Sequence, residues 1–118
     1  MNRFNIEYYK DKHGKCPISE FLISLEPKMR AKALKMILLL EEYGNELTEP
    51  YSKHLSDGLF ELRINQGNNI SRILYFFIVN QKIILTNGFI KKTQKTPPAE
   101  IKLAKKYKKD YLSRKENS

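Results

Sequence analysis

Phe60-Glu61-Leu62-Arg63-Ile64, followed by Gln66-Gly67-Asn68-Asn69 and then by Ile73-Leu74-Tyr75-Phe76-Phe77-Ile78-Val79, decides the fold. In the first segment apolar residues alternate with Glu61 and Arg63, which predicts a strand with one buried and one charged face. The second is a hairpin turn, where glycine and asparagine supply positive φ. The third is apolar on both faces, as a central strand covered on each side must be. Asn80-Gln81 then turns the chain into a further strand, Ile83 to Ile90. Strands joined by turns this short run antiparallel.

Towards the N-terminus, Phe4, Ile6 and Tyr8 alternate with Asn5 and Glu7 and predict a first strand. Asp11 to Lys15 reads as a turn. Pro17 suits the first turn of a short helix to Leu25, where its missing N–H costs nothing. Pro27 opens a second helix, with Met29, Ala33, Met36, Ile37 and Leu40 on its apolar face and Gly44 at its end. Asn45 to Asp57 reads as irregular. A last helix runs from Pro98 to about Ser113, apolar along Ile101, Ala104, Tyr107 and Tyr111 and basic elsewhere. The expected fold is α+β, in the order βααβββα. An antiparallel sheet carries an N-terminal helical hairpin on one face, and the first strand joins one edge of the meander. The other face is expected to be partly open, ringed by Arg63, Arg72 and Lys92.

The 118 residues fit one domain spanning 1–118, large enough to bury roughly two thirds of its unfolded surface. Cys16 is the only cysteine, so no internal disulfide forms and a reducing compartment is expected. No apolar run approaches the roughly 18 to 20 residues that span a bilayer. Met1 to Glu7 lacks the apolar core of a secretion signal, so the expected location is cytoplasmic, with no membrane partner. Two distant histidines and one cysteine give no metal-ligand spacing, and no phosphate-loop glycine pattern occurs. No cofactor is expected.

The charge is lopsided. Residues 1–81 hold eleven Lys/Arg against ten Asp/Glu, whereas residues 82–118 hold eleven against three, so nearly all of the net +9 lies in the last third. Lys91, Lys92 and Lys95 follow the last strand directly, where rigid backbone delivers clustered cations to one place. Clustered cations repel unless an anion neutralises them, and phosphate is the first candidate. Arginine suits a phosphate because its planar fork matches two oxygens. Lysine can move a proton near neutral pH only if neighbours lower its pKa, as crowding among these lysines would. Arg63 has a second reading, a structural pair with Glu61 or a helix carboxylate. Arg72 opens a strand apolar on both faces, an odd place for a bare charge. His54 could titrate in catalysis or pack beside Leu55.

In this setting the chain resembles the RelE/ParE superfamily of type II toxins, and most of all its HigB-type, phage-derived branch. The resemblance rests on Pro50-Tyr51-Ser52-Lys53-His54-Leu55, on Gly58-Leu59-Phe60-Glu61-Leu62-Arg63, on Ser71-Arg72-Ile73-Leu74-Tyr75-Phe76 and on Gly88 through Pro97. It implies a ribosome-dependent endoribonuclease (an mRNA interferase) that cuts mRNA by metal-independent attack of the RNA's own 2′-hydroxyl. It also implies a cognate antitoxin, HigA-like and carrying a helix-turn-helix, through which alone operator DNA would be contacted. Carried over by position, Arg63, Arg72 and Lys92 are the catalytic set around the scissile phosphate, and Lys53, His54, Lys91 and Lys95 contact RNA. Some relatives place a tyrosine where this chain has Thr96-Pro97-Pro98, so the resemblance supplies no tyrosine for proton transfer.

Two rivals remain open. ParE-type members inhibit DNA gyrase by binding, and a plain RNA- or protein-binding module would keep the fold without chemistry. The nuclease expectation requires Arg63, Arg72 and Lys92 to converge on one phosphodiester. Scattered, or paired with carboxylates beneath the surface, they would not support it.

Overall fold

The computed structural model describes residues 3–92 and 95–116; Thr93 and Gln94, part of the lysine-rich motif, lie outside the described residues. Five strands form one sheet: β1 (Asn5–Tyr8), β2 (Ser52–His54), β3 (Leu59–Gln66), β4 (Asn69–Ile78) and β5 (Lys82–Ile90). Its order is β1-β5-β4-β3-β2. Helices α1 (Pro17–Ser24) and α2 (Pro27–Tyr43) follow β1, and α3 (Pro98–Glu116) ends the chain. The α+β class, the helical hairpin and the β3–β4–β5 meander are as the sequence predicts.

Three features differ. Ser52–His54, within the stretch read as irregular, is a strand paired antiparallel with β3. Three residues cannot show a period, and only the neighbouring strand's open edge reveals it. The sheet is also not wholly antiparallel, because β1 lies parallel to β5 with Ile6 opposite Ile83. The long connection from β1 to β5 through both helices and the meander supplies the crossover that parallel pairing needs. Finally, the sheet face expected to be open is largely covered by α3.

Each face has its own core. Ile18, Leu22, Met29, Ala33, Met36, Ile37 and Leu40 of the hairpin pack on Leu62, Ile64, Ile73, Tyr75, Ile83 and Leu85. The hairpin is fastened by Arg30, whose Nε donates to the Leu22 carbonyl at 2.8 Å and whose Nη2 donates to those of Ile23 and Leu25. The carbonyls of Leu22 and Ile23 belong to the last turn of α1, where that of Leu22 also accepts from the Leu25 amide at 3.3 Å. On the other face Ala104 and Tyr111 of α3 meet Tyr9, Leu59, Leu74, Phe76, Ile84 and Phe89. Tyr9 Oη donates to Asp110 at 2.6 Å and its ring stacks on Tyr107 at 4.6 Å. Tyr107 and Tyr111 are therefore packing residues of α3.

A bulge decides which side chains reach the α3 face. Strand β5 pairs Leu85 with Tyr75 but Asn87 with Leu74, leaving Thr86 as the extra residue. One inserted residue reverses the alternation beyond it. Gly88 consequently faces the hairpin, against the ring of Phe21, while Phe89 faces α3 beside Arg72.

Candidate phosphate-binding site

Strands β2 and β3, Lys91 just beyond β5 and the segment leading into α3 line a hollow of about 220 Å³. Lys53, Glu61, Arg63, Lys91, Lys95 and Thr96 line it, with Leu55 and Ile101 as apolar walls. Strand parity explains the membership. Lys53 stands opposite Glu61 in the β2–β3 ladder, and Arg63 stands opposite Arg72 in the β3–β4 ladder, all on the α3 face. The Lys91 amide continues the β5 ladder by donating to the Ile70 carbonyl at 2.8 Å. Two residues beyond Phe89, its side chain returns to that face.

Glu61 lies at the centre. It is only 1% exposed, and a carboxylate so deep needs compensation. Its Oε2 is 3.4 Å from Arg63 Nε and 3.7 Å from Arg72 Nε, and its Oε1 accepts a hydrogen bond from the Thr96 hydroxyl. Arg72 is 6% exposed. Its Nη1 donates to the Ser71 carbonyl at 3.0 Å, while its Nε makes an ion pair with Glu61 but no hydrogen bond. Burial lowers the Arg72 pKa, with Arg63 adding to the effect and Glu61 opposing it. Burial, followed by the charges of Arg72, Arg63 and Lys53, also pushes the Lys91 ammonium below its ordinary 10.5, against the pull of Glu61.

The expected catalytic trio does not converge. Arg63 reaches the hollow, Arg72 lies buried against Glu61, and Lys92 is exposed and outside the lining. Of the expected RNA contacts, Lys53, Lys91 and Lys95 line the hollow. His54 does not: it is exposed, pairs in register with Phe60 on the hairpin face and meets that ring edge-on at 5.0 Å. In the sequence alone, Glu61 stands out only as a partner for Arg63, and Thr96 has no role. A glutamate two residues before one arginine, on a strand bordering another arginine, was the available signal.

Chemically the hollow offers four lining cations over one neutralised carboxylate, an anion site whose lysine is biased towards releasing its proton. Among the described residues no group of three or more His, Cys, Asp or Glu could hold a metal, and no helix is long and apolar enough to cross a membrane.

Fold and site define a small α+β protein that presents a preorganised cationic hollow on the α3 face of its sheet. The family model for phage-derived protein Gp49-like matches residues 20–109, and the chain belongs to that family, which is toxin-like and RelE-related. Comparison with curated proteins gives no match.

Proposed function

We propose that the protein is the toxin of a toxin–antitoxin pair, a HigB-like endoribonuclease that cuts ribosome-bound mRNA. The observation that carries this reading is the gathering of Lys53, Arg63, Lys91 and Lys95 from separate segments around one hollow. The trio expected from sequence does not support this reading, since Arg72 is buried in a carboxylate pair and Lys92 lies outside the lining; the reading rests instead on this set. Arg63 supplies the planar fork for a phosphate oxygen, and Lys53 and Lys95 add charge that offsets the second negative charge of the phosphorane. Lys91, its pKa lowered, accepts the proton of the attacking 2′-hydroxyl. The bond from the 2′-oxygen to phosphorus forms as the bond to the 5′-oxygen breaks, leaving a 2′,3′-cyclic phosphate and a 5′-hydroxyl that takes its proton from water. Arg72 works from below through Glu61. The basic α3 favours ribosomal RNA as the docking surface, and the antitoxin supplies inhibition.

One observation favours a second reading. Arg72 is buried in a carboxylate pair, as a binding module without chemistry would allow. Induced expression separates the readings. The nuclease reading expects growth arrest with translated mRNA fragmented and chromosomal DNA intact. Gyrase inhibition would break DNA instead, and a binding module would leave both intact.

A further inference from the structure

Beneath the cations lies a group to which neither the fold nor the family assigns a task. Glu61 stands opposite Lys53 of β2 in the ladder and meets Arg63 two residues along its own strand, Arg72 of β4 on the diagonal and Thr96 ahead of α3. Two arginines directly opposite each other repel and, left alone, would turn away from the sheet. The carboxylate gives both a common target. Its two oxygens divide the work: Oε2 faces the guanidiniums and Oε1 takes the Thr96 hydroxyl. Thr96 is bonded directly to Lys95, so this hydrogen bond also fixes where the segment carrying Lys95 crosses the sheet.

We infer that Glu61 is the positioning residue of the hollow, a buried clasp that holds Arg63 from below and closes the segment before α3 over the sheet through Thr96. This rests on the proposed function only for what the placement serves; the clasp itself is a statement about the free protein. Glu61, almost wholly enclosed, acts through its neighbours and touches no substrate.

The experiment uses the full chain with Thr96→Val, Thr96→Ser and Glu61→Gln. Valine keeps the threonine shape and removes the donor, whereas serine keeps the donor. NMR without RNA follows the Arg63 Nε–H signal and the titration of Lys91, which Arg72, Arg63, Lys53 and Glu61 all influence. Glu61→Gln is expected to move the Lys91 titration to lower pH, because the one group raising it is lost. Thr96→Val is expected to shift both signals and Thr96→Ser to preserve them. Cleavage kinetics then read the placement. Thr96→Val lowers kcat roughly tenfold or more with KM nearly unchanged, as small misplacements at a reacting centre do, and Thr96→Ser restores it.

If the signals stay at wild-type positions in Thr96→Val and Glu61→Gln, the clasp is overturned. It is equally overturned if an active wild type and Thr96→Val cut with the same kcat. Should the wild type cut no RNA while the signals shift as expected, the nuclease reading falls and the clasp stands. If Glu61→Gln does not fold, Thr96→Val at the rim decides alone.

Discussion

Arg63 and Arg72 face each other directly across the β3–β4 ladder, and both bring Nε to the same oxygen of Glu61, at 3.4 and 3.7 Å. Two cations thus share one buried anion. The arrangement keeps a guanidinium at the surface by sinking another beneath it, and it separates the residue that meets a ligand from the residue that holds the geometry.

Arg72→Ala is therefore expected to act on stability before activity. Removing one of the two arginines that share Glu61 leaves Arg63 and Thr96 to compensate the carboxylate, so the cost falls below the roughly 3 to 5 kcal/mol of a buried charge left wholly unpaired. Urea denaturation should show the midpoint falling without a change of slope. An unfolding curve matching the wild type would show that this pair contributes nothing, and Arg72→Ala would then be a clean activity variant.

Lys91 and Lys92 should separate. Lys91 lines the hollow and its pKa is lowered; Lys92 is exposed outside it. Lys91→Ala is expected to reduce cleavage by roughly 10²-fold, the ordinary worth of a positioned proton acceptor, and Lys92→Ala by less than about threefold. An unprotonated Lys91 is the active form. The kcat/KM profile of the wild type should therefore rise with pH through a midpoint below 10.5, and that limb should vanish in Lys91→Ala. Equal losses in the two variants would return Lys92 to the site.

Alkali should loosen the protein as its buried tyrosines ionise. Burial pushes Tyr9, Tyr75 and Tyr111 up to about 12 from 10.0. Between those values the native state holds protons that the unfolded chain releases. This stabilisation is complete below pH 10 and is lost as pH rises through 12. Absorbance titration at alkaline pH should show a late group of tyrosines whose ionisation coincides with unfolding by circular dichroism. Seven tyrosines titrating together near pH 10 in a folded chain would contradict this.

Gly88→Ala tests the bulge. A Cβ there would lie 2.4 Å from the Phe21 ring, so α1 must retreat, an overpacking cost of about 1 to 3 kcal/mol. Phe21→Ala in the same chain should recover part of that loss, because it removes the clashing ring. Thermal denaturation of the single and double variants measures it. Additive losses would place Gly88 away from α1.

Most of the architecture is legible in the residues. Alternation in Phe60–Ile64, the double-faced apolar run after Arg72 and the prolines at 17 and 27 each carry a local physical reason. What escapes are features set at a distance. Ser52–His54 becomes a strand only because β3 offers an edge. The extra residue at Thr86 reverses parity and delivers Lys91 rather than Lys92 to the hollow, and no local propensity announces it. The charge of Arg72 looked available because its carboxylate, Glu61, is near only after β3 and β4 pair. The cationic character of the site was readable, and its inner arrangement was not.

Primer extension across a translated transcript, in cells expressing the wild type or Lys91→Ala, bears on the central claim that the hollow grips and cuts an mRNA phosphodiester. The wild type should give discrete stops within codons that disappear when translation is blocked, and Lys91→Ala should lose them while remaining folded. Intact transcripts under a growth-arresting wild type, or unchanged stops in Lys91→Ala, would contradict it.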